Sequence, residues 1–384
     1  MNFYYTHWYN EFDPMPNAFT KNVSKSYVPE NIFTKGEIHN ILRLQNIDFN
    51  LVKDDSKPFI YHCNFRLDNR KWLQPFQNYV SEDTKSKLIK NGMLVFTDDE
   101  GYDTSAVEIK EKCVQHGVPI EKVLLITGNQ KCIDEQTIPT LFYSKAINDL
   151  LIDIKYNLEV QNSVKECLRR KPKKFLCSLS GNPSINKVLL TNELVKQNLI
   201  EGNYVTFRKA QASRSGAEYL NSIISPELEK LLPLEDEGWH RTNFSKRSIW
   251  TLKPPSHCEL SVVLDTGSDG KFNLRDVRHR IFHLSGLPPV LLLKKPFILH
   301  ASCPKLHLIK SLGFKTFDEL WDESYDLELD EKKKAKSVVQ LILHIKKNPE
   351  LISKAKNITE YNYKRFFELD YNKKITDYLY ETLY

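Results

Sequence analysis

The chain has 384 residues, 41% of them hydrophobic and 11% aromatic; this length suits two domains of roughly 150 residues each, and no run of about 18 apolar residues predicts a membrane-spanning helix. The opening MNFYYTHWYNEFDP has no basic stretch followed by an apolar core, so no secretory leader is expected, and seven cysteines without a C-x-x-C pair predict reduced thiols in a cytoplasmic protein rather than a disulfide frame or a zinc site. A net charge of +6 and a pI near 8.7 are modest: a basic surface can attract nucleic acid, nucleotide phosphates or anionic lipid, but charge that is not concentrated reads first as a lysine-rich soluble enzyme, and only thirteen glycines argue against a dinucleotide fingerprint.

The first third alternates strand-like and helix-like pieces. Phe3, Tyr4, Tyr5, His7, Trp8 and Tyr9 give an aromatic N-terminal strand that packs into the first domain. Lys57–Cys63 and Met93–Phe96 read as strands, Ala106–His116 as a helix stopped by Gly117, and Lys122–Thr127 as a strand ended by Gly128 and Asn129. Strands alternating with helices imply a mostly parallel sheet with right-handed crossovers. Asp98, Asp99 and Glu100 follow the second of these clear strands. Carboxylates at the carboxyl end of a strand are placed to act as a general base, and crowding raises the proton affinity of one of them. A hydrated acidic turn is the plain alternative.

Arg169, Arg170, Lys171, Lys173 and Lys174 put five positive charges in six positions, and Phe175–Ser178 then restarts the strand pattern. The strand runs into Ser180, Gly181 and Asn182 before a helix carrying Val188, Leu190, Leu194 and Leu199. Phosphates bind at such turns because N–H groups and the helix dipole face outward, and Lys187 supplies a nearby cation. Tyr204–Phe207 closes a second strand-helix-strand unit. The middle, roughly 210 to 258, is the least readable: a helix is expected over Ala217–Leu232, then a polar aromatic stretch that includes Trp239–Lys246.

Glu259–Leu264 is a strand ending at Asp265, followed by Arg275, Arg278 and Arg280. Arginine binds phosphate in a bidentate way, although the three residues lie only partly on one helical face. His279 and His283 lack the glutamate of a zinc-protease motif, so no metal is expected there. The chain has no G-x-x-x-x-G-K-[ST] loop, no G-x-G-x-x-G and no G-x-S-x-G. Pro296–Ser302 is a short apolar strand covered on both faces. Pro304 opens a helix whose apolar side is Leu306, Leu308, Ile309 and Leu312 and whose stop is Gly313. Phe314–Phe317 is expected as one more strand, with Asp322–Asp326 pinning the turn after it. Beyond Glu331 the chain reads as helical to its end.

The pattern Pro296-Phe297-Ile298 followed by LGFKTFDELWDESYD at Leu312–Asp326 resembles a group of phage and bacterial proteins regarded as glycosyltransferases of the GT-B type. The resemblance extends to Phe175–Lys187 and Glu259–Arg280, about half the chain in all. It implies an α/β fold of two Rossmann-like domains facing a cleft, with C-terminal helices returning to the first domain. It also implies an acid for the donor ribose, at the position of Asp265, and cations for its diphosphate. Family members carry Arg and His after the first of these strands, where this chain has Ser184, Ile185, Asn186 and Lys187. They carry Thr-Glu-Lys before the Pro-Phe strand, which this chain lacks, leaving Arg275, Arg278 and Arg280 for the charge. There is no Asp-x-Asp pair, the means by which many single-domain glycosyltransferases hold a metal, so the implied type is metal-independent.

The expected organisation is therefore residues 1–170 as an acceptor domain, 171–355 as a nucleotide-sugar domain and 356–384 as helices packing back on the first. The expected function is transfer of a sugar from a UDP- or GDP-linked donor, as co-substrate and with no further cofactor, to a hydroxyl. The acceptor is a glycan or a hydroxymethylated base in phage DNA. Arg169, Arg170, Lys173, Lys174, Arg241 and Lys246 are the candidate DNA contacts. The alternative is a non-catalytic binding protein on the same fold, with DNA as one candidate ligand.

Overall fold

The computed structural model describes residues 3–7, 37–47, 49–51, 58–64, 67–68, 71–72, 80, 82–98, 106–180, 183–210, 216–234, 247–264, 286–301 and 304–384. The chain divides into two compact units, one made of Met1–Ile152 with Asp370–Tyr384, the other of Asp153–Leu369. Both are α/β, each built on a parallel sheet.

In the first unit the strands are β1 (Phe3–His7), β2 (Phe49–Leu51), β3 (Phe59–Asn64), the short antiparallel pair β4 (Leu67–Asp68) and β5 (Lys71–Trp72), β6 (Gly92–Asp98), β7 (Val123–Thr127) and β8 (Thr140–Phe142). The main sheet has the order β2-β1-β3-β6-β7-β8 and is parallel throughout. The aromatic N-terminal strand therefore lies inside the sheet, between β2 and β3. The helices are α1 (Glu37–Leu44), α2 (Glu82–Asn91), α3 (Ala106–Gln115), α4 (Gln130–Glu135) and α5 (Lys145–Tyr156), the last running across the division into the second unit. All five residues of β7 are buried, as a strand covered on both faces requires. Phe59, Tyr61, Leu94, Phe96 and Leu125 pack with Ile109 and Cys113 of α3 in one core cluster. Gly117, where α3 was expected to stop, has φ +70°, a conformation glycine adopts without a Cβ clash.

The second unit opens with α6 (Leu158–Arg169) and carries the sheet order β10-β9-β11-β12, also parallel, from β9 (Lys174–Leu179), β10 (Tyr204–Thr206), β11 (Cys258–Leu264) and β12 (Phe297–His300). Helix α7 (Ile185–Lys196) connects β9 to β10; α8 (Ala217–Ser222), α9 (Pro226–Glu229) and α10 (Arg247–Ser256) lie between β10 and β11; α11 (Leu287–Leu292) precedes β12 and α12 (Leu306–Ser311) follows it. The unit ends in α13 (Glu331–Lys347), α14 (Glu350–Lys354) and α15 (Lys356–Phe367). Helix α13 packs on α7 and β12, α10 on α6 and β11, and α15 on α11. The final helix, α16 (Tyr371–Leu383), belongs to the first unit, where it packs on α1, β6 and β8. Among the described residues no helix is long and apolar enough to cross a membrane.

Two expected elements take a different form. Ala217–Leu232 is not one helix but two short ones, α8 and α9, broken at Ser225-Pro226. Proline has no N–H to give a helix interior, so it sits in the first turn of α9 while the Ser225 hydroxyl caps that turn by accepting from the N–H of Leu228 at 3.2 Å. Phe314–Phe317 is no strand either. Its backbone is paired by a side chain: the N–H of Lys315 donates to Asn362 Oδ1 at 2.8 Å, and Asn362 Nδ2 donates back to the Lys315 carbonyl at 2.8 Å. The apolar residues point inward all the same, Phe317 meeting Phe297 edge-on at 5.2 Å and stacking on Trp321 at 4.7 Å.

Candidate functional site

In an open parallel sheet ligands bind beyond the carboxyl ends of the strands, where the strand order reverses. In the second unit the chain goes from β9 outward to β10, then returns to lay β11 on the other side of β9. The reversal therefore falls between β9 and β11. Ser180, directly after β9, is buried, and its N–H is held at the end of β10 by the Thr206 carbonyl and hydroxyl at 3.2 and 3.0 Å. Its Oγ has no hydrogen-bond partner among the described residues. A buried hydroxyl without a partner is uncommon in a folded chain, which marks Ser180 as a polar group at this edge with bonding capacity to spare.

The first turn of α7 follows. Ser184 makes no side-chain cap to the helix backbone; instead its Oγ donates to Asn186 Oδ1. Lys187, in the same turn, is only 2% exposed. The Asn186 carbonyl lies 3.1 Å from Nε2 of His300, the last residue of β12. A carbonyl only accepts, so His300 carries its proton on Nε2 in this pairing, and the end of β12 is tied to the start of α7.

A set of buried charges supports that edge from behind. Asp326 Oδ2 accepts from the N–H groups of Lys305 and Leu306 at 2.8 and 2.9 Å, capping α12. The ammonium of Lys334, itself 1% exposed, donates to the Ala301 carbonyl at 3.1 Å and to the Asp326 carbonyl at 2.9 Å. Burial raises the Asp326 carboxyl above its ordinary pKa, opposed by the bond from Leu306 and by the charge of Lys334. The segment Leu312–Asp326 thus works as a clamp: its rings pack under β12, and its last carboxylate and the lysine of α13 fix the chain just past the strand end.

The first sheet has its own reversal, between β1 and β3. Its carboxyl edge is lined with buried polar groups. His62 on β3 lies 2.6 Å from the hydroxyl of Thr97 on β6, and both are fully buried. Thr127, ending β7, accepts from the N–H of Asn129 at 3.1 Å. Asp98 ends β6 with Thr127 as its neighbour in register. Asp99 and Glu100 lie outside the described residues. His62 went unrecognised in the sequence because it stands inside an apolar strand, where only its partner on β6 distinguishes it from a packing residue.

Of the expected donor residues, Ser180 and Lys187 come together at the carboxyl edge of the second sheet. Gly181, Asn182, Asp265, Arg275, Arg278 and Arg280 lie outside the described residues; Asp265 follows the last residue of β11. Of the expected DNA contacts, Arg241 and Lys246 also lie outside them. Arg169, Arg170, Lys173 and Lys174 stand at the amino end of β9, the opposite end of the sheet from Ser180. There Arg170 pairs with Glu166 and donates to His257 Nε2, while Lys174 Nζ lies 4.6 Å from the centre of the Tyr204 ring.

No protein-family model and no curated protein matches the chain. Among solved structures it is similar to the N-terminal domain of Candida albicans trehalose-6-phosphate phosphatase, at 13% identity and a TM-score of 0.44, over 89% of this chain and 73% of that one.

Proposed function

We propose that the protein is a glycosyltransferase, with its two α/β units as the two halves of a GT-B-type enzyme. The second half holds a nucleotide-sugar and the first a hydroxyl acceptor. The observation that carries this reading is the buried Ser180 hydroxyl, without a partner among the described residues, beside the first turn of α7 at the reversal of the second sheet. Helix starts at such reversals bind phosphate, and the resemblance of Leu312–Asp326 to the GT-B group names the phosphate as a sugar donor's diphosphate. In this reading Ser180, Gly181, Asn182 and Lys187 meet the diphosphate, Asp265 the ribose, and Arg275, Arg278 and Arg280 the charge that develops as the diphosphate leaves.

The chemistry is a direct displacement. The acceptor oxygen bonds to the anomeric carbon as the bond from that carbon to the diphosphate oxygen breaks. The hydroxyl proton passes to a carboxylate of the Asp98, Asp99 and Glu100 group. The electron pair of the broken bond leaves on the nucleoside diphosphate, stabilised by cationic side chains without a metal.

Thermal unfolding in the presence of UDP, GDP, CMP and their sugar conjugates tests this reading, because a ligand of the folded state raises the melting temperature. The expected result is a rise with one nucleotide and its sugar conjugate, and slow release of that nucleoside diphosphate from the conjugate. Absence of both, at ligand concentrations well above those typical of such enzymes, overturns it.

A further inference from the structure

The basic run at the amino edge of the second sheet is a formed surface. Helix α6 ends at Arg169, and Arg170 leaves it in extended conformation, with φ −73° and ψ +131°. Residues 170–173 continue without helix or strand into β9. Along this segment the side chains divide by role. Arg170 and Lys174 turn inward and are half-buried, Arg170 against Glu166 and His257, Lys174 over Tyr204. Arg169, Lys171 and Lys173 are exposed and make no ion pair with any described residue.

The inward residues fix the outward ones. The His257 carbonyl accepts from the N–H groups of both Lys173 and Lys174, at 2.9 and 3.0 Å, and the His257 ring tilts against Tyr204 at 5.8 Å. The backbone of the strip is thus anchored before any ligand arrives, which reduces the ordering cost of binding. Arg169 closes α6 and Lys171 and Lys173 follow it in the segment that leads to β9, so three exposed cations lie within five residues at one end of the sheet, a charge complement to the phosphates of a nucleic acid.

We propose that this strip, Arg169, Lys171 and Lys173, binds the phosphate backbone of a single-stranded nucleic acid. A membrane fits less well: among the described residues no exposed large hydrophobic side chain lies between Leu158 and Tyr219, and an interfacial anchor needs apolar residues to insert. The strip is independent of the nucleotide-sugar site. It stands at the opposite end of the strands, about 20 Å away along β9 at the strand rise, so it holds a polymer whether or not the protein transfers sugar. His257 reports on the surface. Burial first, and then the charges of Arg170, Lys173 and Lys174 against the opposing Glu166, hold its pKa below the usual value. Bound phosphates offset that positive field and raise it.

Fluorescence anisotropy with a labelled single-stranded oligonucleotide of about twenty residues tests the proposal on the full chain. Affinity is expected to fall with salt with a log–log slope near −2, from three phosphates at about −0.7 each. The triple variant R169Q/K171Q/K173Q is expected to bind at least about tenfold more weakly with little change in melting temperature, all three positions being exposed. In the wild type, NMR titration of the His257 ring should move to higher pH when the oligonucleotide is added. The proposal is overturned if the wild type does not bind at low salt, or if the triple variant binds the oligonucleotide as the wild type does. It is equally overturned if the triple variant loses only its binding to phosphatidylserine vesicles.

Discussion

Asn148 and Asn372, 224 residues apart in the chain, face each other as a reciprocal amide pair: Asn148 Nδ2 donates to Asn372 Oδ1 at 2.9 Å, and Asn372 Nδ2 donates to Asn148 Oδ1 at 3.0 Å. The Tyr371 hydroxyl adds a second bond to Asn148 Oδ1 at 2.6 Å, and its ring meets Phe142 edge-on at 5.3 Å. Both amides are buried. This is how α16 becomes part of the first unit. The apolar face of the helix supplies contact area, and the amide pair sets its register against α5.

Replacing Asn372 by leucine is expected to destabilise the protein by about 3 kcal/mol, because it strands a buried donor and weakens a buried acceptor on Asn148. Urea denaturation reads the loss. In the double variant Asn148→Leu with Asn372→Leu both partners become apolar, and part of the loss should return. If the two single losses simply add, the amides do not interact and the register argument fails.

The pairing of Asn362 with Lys315 invites a similar experiment with a different expected pattern. Asn362→Ala removes the acceptor for the Lys315 N–H and the donor for its carbonyl, an expected cost of about 2 kcal/mol. Asn362→Asp keeps the acceptor and loses the donor, so it should fall between the two. A melting temperature for Asn362→Ala equal to the wild type's would show that water replaces the side chain without cost.

These two asparagines also mark where reading the sequence stops. Strands such as β7, β9, β11 and β12 were legible because a strand covered on both faces is a continuous apolar run, and that pattern is local. The helix stops at Gly117 and Gly313 were legible because each has positive φ, +70° and +81°. Phe314–Phe317 carries the same strand-like signature, but its backbone partner is a side chain on α15, 47 residues away, which no local pattern announces. The site divides in the same manner. Ser180 and Lys187 were singled out because a strand-turn-helix is a local motif; His62, His300 and Lys334 were passed over because each has its bonding partner on another element. A histidine within an apolar run, as at His62 and His300, or one lysine among several, as at Lys334, looks the same in sequence whether it is bonded or not.

The clamp around Asp326 predicts a pH dependence of stability. Burial raises the folded-state pKa of Asp326, and of Glu323, which accepts from the Phe317 N–H at 2.9 Å. Both groups therefore hold a proton more readily in the folded than in the unfolded chain. Their contribution is fully present below the unfolded carboxylate value, about pH 4, and is lost as pH rises through the raised folded values. Asp326→Asn, which keeps an oxygen acceptor for the N–H groups of Lys305 and Leu306, and Glu323→Gln should each make the melting temperature less dependent on pH above about 4. A slope unchanged in the double variant would assign that dependence to other groups.

Ser180 separates a structural role from a binding one. Its hydroxyl is buried without a partner among the described residues, so the free protein already bears the cost of its desolvation. Ser180→Ala removes that cost while filling nearly the same volume, and the melting temperature should stay level or rise slightly. If the hydroxyl bonds to a donor phosphate, the same change should weaken nucleotide affinity by about tenfold, the equivalent of one hydrogen bond to a charged group at about 1.5 kcal/mol. Calorimetric titration with the nucleotide that raises the wild-type melting temperature reads this loss. Unchanged affinity would remove Ser180 from the site, and a lower melting temperature would mean that the hydroxyl already serves the fold.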